Sequence, residues 1–533
     1  MVKAKSTLLL LILCTVYGGC RNLSEDEQVN QDSSDIPSPV FIQQPKALNV
    51  VSINQSVTLS CEAILDGYNI NYSWYESSDG TSYTSDPIAG VSTESNNFTT
   101  PASTEKGIHY YYCVANPCQN GVRFNSQTFS NIVTVANTGL ALIKIETENG
   151  ETPTAEKEKH NGRMYIIRNG ATVYDSGSDN KFVIKVRGNT TAGHPKKPYK
   201  LKLPKKTNLL SDANSDNKDK DWVLLANYAD KSLLRTKIGF YISSLFNEIV
   251  GNENLYVPHS EFVDVVLNNE YIGNYLLTDS IKEGAGRLNV NEKESDTGGI
   301  GFIAERDPWY FLEDIFFFTN KGFPYSFKFP NTDEINFDIY LSYLQNYLNR
   351  FESSLYESES AEWINYIDIE SFARWFLICN IVADKDPNYF FSKINSDDSS
   401  KIIMGPLWDM DWTIGIIYPG TKRANSVDYW CGNANEWYFD ELVKKEAFAS
   451  ECKRQWNLLQ NKYPNVAETI IGKMSELTDL ISISREMNLK LWYPTTSRQS
   501  LMLETEKDKK FLKEHIDWLA SSVQNLPATL TWD

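Results

Sequence analysis

The chain has 533 residues, enough for two or three domains. Hydrophobic residues are 41% of it and aromatics 13%, which excludes a largely disordered protein. Its 51 basic and 69 acidic residues give a net charge of −18, which argues against nucleic acid as a partner and against general affinity for anionic membrane surface, so a polyphosphate site would need a local concentration of basic residues.

At the N-terminus Lys3 and Lys5 precede an apolar run from Leu8 to Val16, which ends at Tyr17-Gly18-Gly19-Cys20. The run is too short to span a bilayer and has the shape of an export signal, residues 1–20. Small residues directly before Cys20 resemble a bacterial lipobox. That resemblance implies lipidation of Cys20 and an exported protein anchored at the bacterial cell envelope, on the outer membrane or cell surface. Tyr17 stands where the motif has an aliphatic residue, and plain secretion is the alternative. Residues 21–39, rich in Ser, Asp, Glu and Asn, read as a flexible tether.

Residues 40–137 read as all-β, with short alternating segments around Val57–Cys61, Asn71–Tyr75, His109–Ala115 and Asn131–Val135. Cys61, Trp74 and Tyr111-x-Cys113 occur in the order found in immunoglobulin-like sandwiches. The resemblance implies a Cys61–Cys113 disulfide between sheets with Trp74 packed on it. An unrelated sandwich with an incidental cysteine pair is the other reading. Either module would be a spacer or binding platform. No Cys-x-x-Cys occurs and there are five histidines, which argues against structural zinc.

From residue 138 to 533 the pattern becomes mixed. Ala141–Glu146, Met164–Ile167 and Phe182–Arg187 read as strands, and Leu233–Val250 as an amphipathic helix. Phe262–Leu267 and Glu270–Leu277 form a predicted hairpin around Asn268-Asn269. Beyond about residue 335 the chain is mostly helical, interrupted at 381–420. The expected class is α+β: a β-rich first lobe, then a helical second lobe.

Several segments carry charge in suggestive places. Lys185-Val186-Arg187-Gly188 leads to Lys196-Lys197-Pro198-Tyr199-Lys200-Leu201-Lys202, a basic island in an acidic chain. Alternation puts Lys200 and Lys202 on one strand face, where they and Arg187 could neutralise phosphates or simply be solvated. Asp230 and Ser232 suit an N-cap of the following helix. Gly298-Gly299-Ile300-Gly301 lacks the lysine of a phosphate loop and reads as a turn. Lys328 is snorkelling or faces a cleft.

The strongest constellation is Asp384-Lys385-Asp386-Pro387-Asn388 followed by Pro406-Leu407-Trp408-Asp409-Met410-Asp411. An Asp, an Asn close behind and a later Asp suit phosphoryl transfer, in which one carboxylate orients the attacking hydroxyl and the others hold magnesium. In an extended segment Asp409 and Asp411 would point the same way and serve one or two divalent ions. Capping carboxylates or a glycosidase pair would use the same residue types.

Together these blocks, with Trp222–Arg235 and Tyr271-Ile272-Gly273-Asn274-Tyr275, resemble the spore coat protein H (CotH) kinase-like family, most clearly over residues 140–425. The resemblance implies an ATP-dependent atypical protein kinase using Mg²⁺ or Mn²⁺ and acting on secreted or surface proteins, itself included. It implies Asp384 as catalytic base, with Asp386 competing for that place. Asn388 and Asp409 would be metal ligands, with Asp411 beside them, and Lys200 or Lys202 would contact phosphate. The alternative is a cell-surface adhesion lipoprotein whose kinase-like part is an inactive scaffold. Cys431 and Cys452 are a candidate staple beyond the clear match.

Overall fold

The computed structural model describes residues 36–530, apart from positions 85, 93, 156–157, 213–216, 252–255, 294–298, 335, 358–359, 417–426 and 432–437. Cys20, the export signal, most of the tether and Gly298 lie outside the described residues. The chain divides into two units, 1–139 and 140–533.

In the first unit, Leu48–Val51, Val133–Asn137, Gly107–Gln119 and Asn69–Ser77 are neighbours in one sheet, parallel at the first pairing and antiparallel at the others. Thr58–Ser60 pairs with Asn97–Thr99, and Val40–Gln43 with Glu62–Ile64. Alternate residues point inward to a core of Leu59, Cys61, Trp74, Phe98, Tyr111 and Cys113. Trp74 lies opposite Cys113 in register and stacks on Phe98 at 5.7 Å. The implied disulfide is absent: Cys61 and Cys113 are buried free thiols. Cys61 Sγ donates to the Asn96 carbonyl at 3.6 Å, and its contact with Cys113, then burial, pushes the Cys113 thiol up.

The second unit is built on an eight-stranded sheet. Its order is Ala141–Thr147, Ser260–Leu267, Glu270–Asp279, Asp219–Leu225, Tyr199–Thr207, Phe182–Val186, His160–Arg168, Ala171–Asp175. Period-two alternation gives the sheet two apolar faces. Tyr199, Leu201, Trp222 and Leu224 join one core, while Val223 and Leu225 join the other with the first helix. The Ser260–Asp279 hairpin turns at Asn268 and Asn269, whose φ values of 50° and 65° match the paired left-handed residues of a tight hairpin turn. Asn268 Oδ1 accepts from Thr147 N–H at 2.9 Å, tying the turn to the neighbouring strand.

A second sheet runs Phe316–Phe318, Pro324–Phe329, Phe302–Arg306, Tyr389–Lys393, Ile402–Met404. The helices are α1 (Arg235–Val250), α2 (Phe337–Tyr356), α3 (Ile369–Ile381), α4 (Phe439–Leu442), α5 (Glu446–Lys462), α6 (Val466–Leu480), α7 (Ser482–Trp492) and α8 (Arg498–Ser522). The chain is thus mixed α+β, β-rich toward its N-terminus and helical toward its C-terminus. None of the described helices is long and apolar enough to cross a membrane. The Cys379 thiol is pushed up by burial, then by Asp384 and by nearby Cys431, and no disulfide joins Cys431 to Cys452.

Candidate functional site

Helix α3 is the support. Asp368 caps its start, accepting from Ser371 N–H at 2.8 Å, and every residue from Ser371 to Ile381 is buried. Its end is a sharp left-handed turn: Ala383 has φ 52°, and Asp384 N–H donates to the Cys379 carbonyl at 2.9 Å. Asp384 therefore stands at the rim of a rigid, dry element, 2% exposed. Its Oδ1 accepts from Asp386 N–H at 3.1 Å. Burial, then the carboxylates of Asp386 and Asp409, push the Asp384 carboxyl well up. Asp386 is exposed to solvent, and desolvation of its carboxyl by the surrounding protein, then Asp409, raise it.

The second acidic segment is fastened to this turn by Ile414 N–H, which donates to the Val382 carbonyl at 2.6 Å. Contrary to the extended geometry expected, Asp409 is left-handed (φ 57°) and Met410–Trp412 form a 3₁₀ turn. The reason is packing against α1. Gly239 has no side chain, and Met410 fills that space; a Cβ there would lie 2.3 Å from Met410 Sδ. Burial and the neighbouring carboxylates of Asp409, Asp230 and Asp384 push Asp411 well up. Asp409 is raised by burial and drawn down by Arg187. Asn388 donates to the Trp408 carbonyl at 3.4 Å, leaving its amide oxygen for another partner. Asp384, Asp386, Asp409 and Asp411 thus feel one another's charge.

Asp409 and Asp411 line a small, partly open cleft together with Arg187, Thr191, His194, Lys196, Asn227 and Tyr228. The Arg187 guanidinium lies over the Trp408 ring at 5.5 Å. Gly188 (φ 89°) makes the turn that brings Thr191 in; a Cβ there would meet Thr191 Oγ1 at 2.2 Å. His194 stacks on Tyr228 at 5.0 Å, and its buried Nε2 has no hydrogen-bond partner among the described residues.

Lys200 and Lys202 do not line this cleft. Lys200 pairs with Asp221 at 3.3 Å, and Lys202 is exposed on the same sheet face. The lysine in the wall is Lys196, which is 1% exposed, donates to the carbonyls of Ala226 (2.8 Å) and Asn274, and lies 4.5 Å from the Tyr275 ring centroid. Burial pushes its ammonium well down. In sequence it is one lysine of a cluster, marked only by Pro195 and Pro198 on either side.

Asp230 and Arg235, both within the Trp222–Arg235 block, form a buried ion pair that extends to α8. Asp230 Oδ2 accepts from Arg235 N–H at 2.9 Å and Ser232 Oγ from Leu234 N–H at 3.2 Å, so both steady the start of α1, which begins at Arg235. The Arg235 guanidinium pairs with Asp230 and, at 2.5 Å, with Asp508 of α8.

Among the described residues no three acidic, histidine or cysteine side chains form a ready-made metal cage. Mg²⁺ is commonly held by one or two carboxylates together with substrate phosphates. The hard oxygen donors of Asn388, Asp409 and Asp411 suit such an open site.

The model of the family described as CotH kinase protein matches residues 184–519. The match takes in every element of the cleft and runs into α8, through helices that the sequence motifs, ending near residue 425, did not reach. No curated protein matches the chain.

Proposed function

The chain belongs to the CotH kinase family, and from that premise we propose that it transfers the γ-phosphate of ATP to serine or threonine hydroxyls of secreted or surface proteins, itself included. The observation that carries this reading is that Asp409 and Asp411 line one cleft with the basic side chains of Arg187 and Lys196, close to the buried carboxyl of Asp384.

In this reading the acceptor hydroxyl oxygen forms the new bond to the γ-phosphorus. The bridging bond to the β-phosphate breaks, ADP leaves with that oxygen, and the hydroxyl proton passes to Asp384. A carboxylate whose proton affinity is raised is the better base for that step. Asn388, Asp409 and Asp411 would hold Mg²⁺ or Mn²⁺, whose charge, when bound, would neutralise phosphate oxygens and lower the surrounding carboxyls. Arg187 would offset phosphate charge across the cleft, with His194 Nε2 as a further hydrogen-bonding group. Lys200 and Lys202, on the adjoining sheet face, would contribute to the field that draws nucleotide in.

The first unit would be an immunoglobulin-like spacer, the second a bilobal kinase-like domain. Cys20 would carry a lipid anchor at the bacterial envelope. Incubation of the purified protein with γ-labelled ATP and Mg²⁺ or Mn²⁺, beside Asp384→Ala and Asp409→Ala, tests the central claim. Label on the wild type and at least hundredfold less on either variant is expected, since removing one preorganised charged group costs about that much. Equal labelling of all three would leave the adhesion scaffold as the surviving reading.

A further inference from the structure

We propose that an aromatic ledge formed by Trp309, Phe311, Leu312, Phe316 and Phe318 docks an extended segment of the phosphate-accepting protein, apolar at alternate positions and flanked by basic residues. The proposal rests on the kinase reading for the identity of its partner.

The ledge is contiguous. Trp309 is 50% exposed, Phe311 58%, Leu312 55%, Phe316 42% and Phe318 41%. Tyr310 lies at 5.7, 5.0 and 4.9 Å between ring centroids from Phe311, Phe316 and Phe318, and Trp309 at 5.8 Å from Phe311. Single exposed apolar residues are ordinary, but a joined cluster of this kind marks an interaction surface.

Its backbone supplies a second handle. Phe316–Phe318 is an edge strand, paired among the described residues only with Pro324–Phe329. Thr319 N–H meets the Phe323 carbonyl and Phe327 N–H the Ile315 carbonyl, so antiparallel alternation turns the N–H and C=O of Phe316 outward. Gln345 Nε2 takes the Phe318 carbonyl at 2.8 Å, which closes one end of the edge and leaves the Phe316 end open. An extended peptide can add there by main-chain hydrogen bonds while its alternate side chains meet Phe316 and Phe318.

Charge selects the partner. Glu313 and Glu305 lie 2.8 and 3.6 Å from Lys328 Nζ, Asp307 is close enough to raise Glu305, and Asp314 is exposed beside them. Lys328 pairs with Glu313 and with Glu305, whose carboxyl is pushed up to about 8 chiefly by burial, and Asp307 is buried and accepts from Ser326 Oγ, so Glu313 and the exposed Asp314 are the acidic groups presented at the rim. Such a rim favours basic flanks and opposes anionic lipid. Location fits as well: the strand that follows Asn388 is three positions along the same sheet, about 14 Å away at the usual strand spacing.

Fluorescence anisotropy of a labelled peptide, with alternating valine and threonine, one central serine and lysine flanks, tests the proposal. Wild type and Asp384→Asn should bind it equally. Phe311→Ser combined with Phe316→Ser, and separately Trp309→Ser, should weaken binding at least about tenfold with unchanged melting, as loss of a central aromatic anchor does. A glutamate-flanked peptide should not bind. The proposal is overturned by any of three results: no binding of the lysine-flanked peptide, equal binding by the ledge variants, or a wild-type dimer that those variants dissociate. Binding without phosphate transfer would count against the kinase reading alone.

Discussion

Asp384 occupies a position that is costly for a charged group and useful for a base. In the folded chain its carboxyl is raised above the ordinary aspartate value of 3.8, chiefly by burial. Between that value and the raised one, the folded state holds more protons than the unfolded state. Stability therefore falls as pH rises through that window. Asp384→Asn should melt above wild type at neutral pH in metal-free buffer, and its melting temperature should decline less as pH is raised from about 4. Coincident pH profiles for the two proteins would refute this. Arg235 presents the opposite case, because its guanidinium compensates Asp230 and Asp508 while all three are at most 3% exposed. Arg235→Leu should cost about 3–5 kcal/mol in denaturant unfolding, since two buried carboxylates lose their partner. The acidic constellation could be read from spacing because Asp384 and Asn388 are neighbours along the chain. The Arg235–Asp508 pair could not, its members standing 273 positions apart. Nor does local sequence say which lysine of 196–202 turns inward; the carbonyls of Ala226 and Asn274 decide that.

At the scale of elements, the site depends on how closely the Met410–Trp412 turn sits on α1. Gly239→Val would drive three added carbons toward the Met410 thioether, which is fully buried, and force the turn between Asp409 and Asp411 outward. A loss of about 1–3 kcal/mol in stability is expected, as for other overpacked cores. A larger relative loss of phosphate transfer should accompany it; full activity in the variant would show that the turn tolerates displacement. The N-cap of α3 provides a control: Asp368→Ala should cost about 1 kcal/mol in unfolding, with transfer retained, because it loosens the far end of the helix. Elements with a regular period were legible in the sequence. The Asn268-Asn269 hairpin and the alternation of Tyr199–Leu203 follow from local rules. The Asp409–Trp412 segment did not, because tertiary packing against a glycine selects its left-handed and 3₁₀ geometry over an extended one.

For the whole molecule, the shift from period two to helical period gave the α+β class and its order along the chain. The cysteine order suggested a bridge that the first unit's core does not form. Every residue of the candidate site lies within residues 140–533, and that unit carries its own two cores. A unit with its own core can fold alone, so the isolated 140–533 piece should retain the nucleotide response of the full chain. Calorimetry with ATP and Mg²⁺ separates this from a shared site. At a ligand concentration a hundred times the dissociation constant, binding to the folded form adds about 2.7 kcal/mol. That gain should appear in one transition of the full chain, and equally in the isolated piece, while the transition of residues 1–139 stays fixed. If nucleotide shifts both transitions, or loses its effect once the first 139 residues are removed, then the first unit completes the site and is more than a spacer.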